Sequence, residues 1–473
     1  MTIEEIMSLT DANQVVTQLK KKRRHPLPNY EINMGALDPM RHPVNDKSPE
    51  GRPDKRVVVD TGDGEGERVR TEKVARVAVA LQRLIVNRAV SFTFGQPVKY
   101  IANPEDETQQ AVLKAFNAII RDVKGVSHDR EVARELFSFQ DVAECWYPVR
   151  SLTSAYGFSS KYKLKCRVFS PDNGDTLYPY FDDNGDLVAF SRSFVKYDDT
   201  DTRQTYFETW TAQAHYLWKS DGGGYSIEEG YPQANPIGKI PIIYAHQCRR
   251  ETADVDNLIE RLEKLLSNFA DTNDYHASPK IVVNGHIEGF SRKGETGAVL
   301  EVDGDCKPYY LSWSSAPESV KLEVDTLLRM IYTISQTPDI SFDTVKGIGA
   351  VSGVALKMMF LDAHLKVQDK REILDEFLQR RVSVVKAYIK QLNVAMSEAV
   401  DALNIEPQIT PYMINDDEKL VQMLNQATGG KVMMSQDTAV RMLGMSVDAD
   451  AEIGRIKAEE SAGTMVDAMY PAE

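Results

Sequence analysis

Two helical stretches of similar length bracket a short β-rich segment, and this ties both helices to a part of the molecule standing clear of its main core. Val255, Leu258, Ile259, Leu262, Leu265, Leu266 and Phe269 mark one stripe of a helix predicted from about Asp254 to His276. Pro279 ends it. From Lys280 to Trp313 the turn signals Asn284-Gly285, Gly294 and Asp303-Gly304 cut the chain into short strands. Ser315 and Glu318 then have capping-box spacing, Pro317 stands in the first turn, and a second helix runs to Pro338. After a glycine-bearing loop, the apolar spacing predicts a further helix from Ser352 to about Asn404. At about 1.5 Å per residue it would reach roughly 75 Å if straight, so a kink or a crossing between domains is expected.

The N-terminus reads as one helix. Thr2 and Glu5 form a capping box, and the run Lys20, Lys21, Lys22, Arg23, Arg24 sits at the negative end of the dipole before Pro26. A nucleic-acid or membrane contact is one reading of that run; a solvated helix terminus is the favoured one. Residues 26–66 are rich in Pro, Gly, Asp and Asn and read as an extended arm. Helices are predicted over 74–90, 106–123 and 127–145. Residues 160–219 are rich in Tyr, Phe, Val, Thr and Trp, and Asp172-Asn173-Gly174, Asn184-Gly185 and Gly222-Gly223-Gly224 punctuate the region. That is an antiparallel meander, and helices followed by hairpins make an α+β fold.

Charge limits the function. The chain of 473 residues carries 56 basic against 70 acidic residues, a net −14, so gripping nucleic acid is not its bulk property. A duplex that must slide is better served by such a surface than by a sticky one. No run of eighteen apolar residues suggests a membrane span, and the opening MTIEEIMSLT is acidic where a secretory signal would be basic. Cys145, Cys166, Cys248 and Cys306 lie far apart, which predicts reduced, buried thiols in a reducing compartment. Asp182, Asp183 and Asp186 match no calcium loop and read as a hairpin turn; His246 and Cys248 are two ligands without partners. Gly347 to Gly353 only imitates a dinucleotide fingerprint, its last glycine one residue late and helix where a second strand should be. No hydrolase, zinc-protease, P-loop or kinase motif occurs, so the expectation is no catalytic residue, no metal and no cofactor.

Three strings in this order carry a resemblance. They are Asn87 to Val98 with its Phe94-Gly95-Gln96-Pro97-Val98 ending, Ser352-Gly353-Val354-Ala355-Leu356-Lys357 after Thr337-Pro338-Asp339, and Gly430 to Val440. With the helix–β–helix insertion, they make the chain resemble the portal proteins of tailed bacteriophages of the siphophage type, over roughly residues 75 to 465. Met433 and Met434 depart from the tighter glycine-to-serine spacing of that family. The resemblance implies an N-terminal helix and arm over 1–66, a wing over 67–253, stem helices over 254–278 and 315–337 and a clip over 279–314. It also implies a tunnel loop over 338–351, a long bent helix over 352–392 and a helical crown over 393–473. It further implies a ring of twelve subunits at one capsid vertex of the virion, assembled in the host cytoplasm. Double-stranded DNA would pass through the ring during packaging and ejection. A terminase motor and later a head-completion adaptor would dock on the clip, and the major capsid protein would surround it. Asn284, Gly285, Arg292, Lys293 and Glu295 are the expected docking residues.

Within that frame, Glu318, Glu323 and Asp325 are expected to line the channel and repel phosphates, against the alternative of an ordinary solvated helix face. Gly347 and Gly349 would let the loop bend into the lumen, where Lys346 would touch the duplex transiently; a mere flexible connector is the competing reading. Two rival functions remain at this stage: a nucleic-acid-processing enzyme, and another virion structural or adaptor protein.

Overall fold

The computed structural model describes residues 1–60, 67–197, 201–220, 222–276, 281–282, 287–290, 300–302, 309–310, 317–340, 358–412, 417–429, 433–444 and 449–469. It divides into two compact units, Met1–Ile340 with Asp362–Tyr412, and Ser341–Leu361 with Met413–Glu473. The first unit mixes helices and sheets, as the α+β expectation requires.

Its N-terminus is two helices, not one: α1 (Ile3–Met7) and α2 (Ala12–Lys21). The Thr2–Glu5 capping box is present, but Asp11 accepts from Asn13 N at 2.9 Å and starts a second helix. The break lets Ile6, Val15, Val16 and Leu19 all reach Phe207, Trp218 and Tyr180. The basic run at its end is partly tied down, although Lys21 and Arg24 are exposed. Arg23 pairs with Asp141 at 2.7 Å, Lys22 donates to Met1 O, and Lys20 lies over Phe207 and Tyr225.

The predicted arm is largely structured. It contains α3 (Tyr30–Leu37), capped by Asn29, and β1 (Lys55–Asp60), which pairs with β2 (Glu67–Glu72) just beyond it. Helix α4 (Leu81–Phe94) starts seven residues later than the apolar spacing suggested. The reason is α7 (Asp256–His276). Backbone N–H groups of Ala75, Val77 and Val79 donate to Asp271 (2.7 Å), Ser267 (2.9 Å) and Glu263 (2.8 Å), so this segment is extended along α7. Every second residue of an extended chain advances about 6.6 Å and every fourth residue of a helix about 6 Å, so the two rows match.

After β3 (Lys99–Ile101) come α5 (Glu107–Asp122) and α6 (Gly125–Phe139). Helix α6 stops at Gln140, which has a φ of 70°, and Val142 to Cys145 are strand, where the sequence suggested helix. The meander expected over 160–219 lies over 176–227, since Ser160–Phe169 joins another sheet: β6 (Thr176–Phe181), β7 (Leu187–Tyr197), β8 (Arg203–Thr211), β9 (Ala214–Ser220) and β10 (Tyr225–Ile227) pair in chain order, with β11 (Gln233–Ala234) beside β9. Gly185, with φ at +91°, turns β6 into β7, and Asp182 Oδ1 accepts from Asn184 N and Asp186 N at 2.9 Å. A second sheet has the order β12 (Ile242–His246), β4 (Asp141–Thr153), β5 (Ser160–Phe169). Ala143, Cys145, Phe169, Ile242 and Tyr244 of this sheet pack on Leu177 and Phe190 of the first.

Among the described residues of the β-rich insertion, β13 (Ile281–Val282) pairs with β16 (Tyr309–Tyr310), and β14 (Ile287–Phe290) with β15 (Leu300–Val302). Helix α8 (Pro317–Ile334) follows. Of the expected helix from Ser352 to Asn404, residues 352–357 lie outside the described residues, and the helix described is α9 (Leu361–Leu392), about 48 Å long at 1.5 Å per residue. It ends at Asn393; a 3-10 turn, α10 (Ser397–Ala402) and β17 (Glu406–Gln408) follow, and β17 pairs with β3. The second unit contains α11 (Asp417–Thr428), α12 (Gln436–Leu443), capped by Ser435, and α13 (Ala449–Met469). Asp437 and Gln436 of α12 reach Lys457 (3.6 Å) and Glu460 (3.2 Å) of α13.

Candidate functional site

The helices expected to flank the insertion form a pair. Val255, just ahead of α7, and Ile259 and Leu262 within it meet Leu327 and Ile331 of α8. Val324, Leu328, Leu258, Leu265 and Leu266 close the seam. Arg261 bonds Glu323 at 2.6 Å and Ile281 stands opposite Tyr310, so the helices run antiparallel. The C-terminal end of α8 is clamped by cations: Arg88 donates to Pro338 O and Lys366 to Ser335 O, each at 2.6 Å. Those carbonyls lack helical partners, and positive charge is favoured there. Lys366 and Lys370 of α9 both reach Glu251, at 2.7 Å each. Burial lowers the pKa of Lys366, partly countered by Glu251.

The three acids expected on one lining do not share a face. Glu318 and Asp325 are seven residues apart and lie along one exposed side of α8. Glu323 is two residues from Asp325, about 200° around the helix, and turns to α7, where Arg261 neutralises it. Leu322, Met330 and Ile334 are also exposed on this helix, Leu322 at 69%. Lys346, Gly347 and Gly349 lie outside the described residues, as do Asn284, Gly285, Arg292, Lys293 and Glu295.

Sequence reasoning missed the buried charge networks. Arg381 of α9, fully enclosed, grips Glu144 of β4 with two nitrogens (2.8 and 2.7 Å) and Asp129 of α6 with a third (2.5 Å). His128 and Trp146 complete the shell of Glu144 at 2.7 and 2.9 Å. Burial opposes ionisation of Glu144, but Arg381 and His128 outweigh it and hold its carboxyl well below the usual range. Burial also pushes the Tyr100 phenol, 3.2 Å from Arg381, up to about 12. His128, Glu144 and Cys166 place three possible metal donors within 4.8 Å of one another, but the cationic position beside Glu144 is filled by the guanidinium. Arg192 plays a like part in the meander, between Asp175 and Glu208 and over the rings of Phe169 and Phe194. Asp141 is shared by Arg23, Tyr244 and His246. Of the thiols, Cys145 is buried as expected, Cys166 is half-buried and Cys248 is exposed. No helix among the described residues is long and apolar enough to cross a membrane.

No curated protein matches the chain by sequence. Solved structures similar to it include the neck of the native GTA particle computed with C12 symmetry. The identity is 9%, the coverage 77% of this chain and 90% of that one, and the TM-score 0.40. The neck of the empty GTA particle computed with C6 symmetry gives 11%, 77% and 89%, and 0.39. The virion of the native gene transfer agent particle gives 11%, 77% and 88%, and 0.38. By sequence, the model of the phage portal proteins, SPP1 Gp6-like, matches residues 50–464. With that match across most of its length, the chain belongs to the SPP1 Gp6-like family of phage portal proteins.

Proposed function

We propose that twelve copies of this chain form a ring at one vertex of the capsid, through which double-stranded DNA is packaged, retained and ejected and to which the tail is joined. In this reading α7 and α8 are the stem, the insertion between them is the clip that receives the terminase motor and then the head-completion adaptor, and residues 67–253 are the wing against the major capsid protein. Residues 338–351 are the tunnel loop, where Lys346, Gly347 and Gly349 would meet the duplex, and residues 393–473 are the crown. The protein needs no cofactor and performs no catalysis itself; the motor supplies the work.

The observation that carries the reading is α8. One helix has a face for α7, a row of exposed carboxylates in Glu318 and Asp325, and, on a third side, the uncovered apolar side chains Met330 and Ile334. A lone chain gains nothing by exposing such side chains, whereas a neighbouring copy would bury them. Repeated around a ring, the carboxylates would repel phosphate and keep the duplex centred and mobile. The acid clusters that a nucleic-acid enzyme would display, Asp129 with Glu144 and Asp175 with Glu208, are each neutralised by a buried arginine. Rings carrying Glu318→Lys with Asp325→Lys are expected to assemble normally and to package DNA several-fold more slowly. An unchanged packaging rate would contradict the acidic lining.

A further inference from the structure

Between Glu144 and Asp172 the sequence contains no acidic residue, although the chain has 70. Five cations stand in that interval: Arg150, Lys161, Lys163, Lys165 and Arg167. Four of them alternate along β5, so they share one face of the β4–β5 hairpin. Register sets Tyr147 opposite Lys165 and Val149 opposite Lys163 on that same face. Its other face carries Leu164 and Cys166 and is turned to the interior, where Cys166 lies 3.4 Å from His128. Towards Ala143 and Phe169 the basic face is covered by Leu177 and Phe190. Past Tyr147 the cover ends, and Lys161, Lys165 and Val149 are exposed; Arg167, opposite Cys145, is exposed at the border of the cover.

The buried and mostly buried arginines of this acidic chain are met by its own carboxylates, as Arg23, Arg52, Arg76, Arg192, Arg250 and Arg381 show. Among the described residues, Lys161, Lys165 and Arg167 form no ion pair; Arg167 leans on the Phe169 ring, and Lys163 is paired with Asp122 at 3.7 Å. Lysine on an edge strand also deters strand pairing, and β5 is an edge. That role asks for charge of either sign; it does not ask for four cations in register and a span of chain cleared of acids.

We infer that Lys161, Lys165 and Arg167, exposed on β5 with the half-buried Lys163 among them, form a contact for the phosphate backbone of duplex DNA, an inference that rests on the reading of the chain as a DNA conduit. Successive cations are about 6.6 Å apart on a strand. A duplex carries one phosphate per about 1.7 Å of its axis counting both strands, so a stripe about 20 Å long can reach several phosphates where it crosses the backbone. Ammonium and guanidinium groups here would position the duplex without reading its bases. Weak contacts repeated from copy to copy would retain DNA, and the acidic face of α8 would keep it from locking.

The test is fluorescence anisotropy of a short labelled duplex on the assembled protein across a salt series, comparing the native chain with Lys161→Gln/Lys165→Gln/Arg167→Gln. Each phosphate contact removed lowers the slope of log affinity against log salt by about 0.9, so the triple variant is expected to lose about 2.7 units. Lys161→Arg/Lys165→Arg should keep the native slope, and thermal melting establishes that both variants fold. Equal slopes for the native chain and the triple variant would overturn the inference. So would loss of assembly in the triple variant, which would assign the stripe to an acidic surface of a second copy. Aggregation with unchanged DNA binding would leave it as an edge guard only. The particle mass of the same samples is read separately. A ring that ignores DNA at β5 sinks this inference alone; DNA binding without a ring sinks the conduit reading.

Discussion

At the scale of single residues, stability depends on a few arginines placed where a sequence reader sees only scattered charges. Arg381 lies 252 positions from Asp129 and 237 from Glu144, so nothing local announces the triad. Arg381→Met would leave Glu144 and Asp129 buried without a cation, at a cost of about 3–5 kcal/mol, read as a fall in the urea midpoint. Arg381→Lys should recover only part of this, since an ammonium has no fork to match the carboxylate. His42 is subtler. Burial works against its charged form, but the bond to Glu263 (2.6 Å) and that residue's charge prevail, and the pKa is raised. A raised histidine binds its proton more tightly folded than unfolded, so its contribution is complete below about 6.5 and fades as pH rises through the folded value. Between pH 6 and pH 8 the native chain should therefore lose more unfolding free energy than His42→Gln does; parallel pH profiles would contradict this.

At the scale of elements, periodicity identified α5, α7, α8 and the meander because one face of each is apolar. It failed where polar side chains decide the backbone. The stripe Val77, Leu81, Leu84, Ile85 suggested helix from 74, but Asp271, Ser267 and Glu263 of α7 capture the N–H groups of Ala75, Val77 and Val79. The row is visible in sequence only as three polar residues four apart on a helix otherwise read for its leucines. Ser267→Ala leaves Val77 N–H buried without an acceptor and should cost about 1–3 kcal/mol by chemical denaturation. The cap at Thr2 is legible from its spacing to Glu5, whereas Asp11, the cap of the second helix, has no such partner in the sequence. Of the expected channel acids, helical geometry keeps Glu318 and Asp325 together and turns Glu323 to Arg261, a split that spacing alone already contains.

At the scale of the whole molecule, the order of helices, hairpins and flanked insertion carried the family, and the family model over residues 50–464 agrees. The docking and tunnel-loop residues were argued by resemblance alone, because short glycine-rich strings have no periodicity to test. The ring is the claim on which the rest depends. Met330→Glu, at an exposed position of α8 away from Glu318 and Asp325, should leave the chain folded and impair its assembly, seen as a shift to smaller species with an unchanged melting profile. The most direct measurement is the mass of the purified native chain in solution, with negative-stain images of the same sample. The account predicts a closed ring of about twelve subunits around a central hole, as heterologous contacts that close on themselves require. A stable monomer with no ring in the images would contradict it.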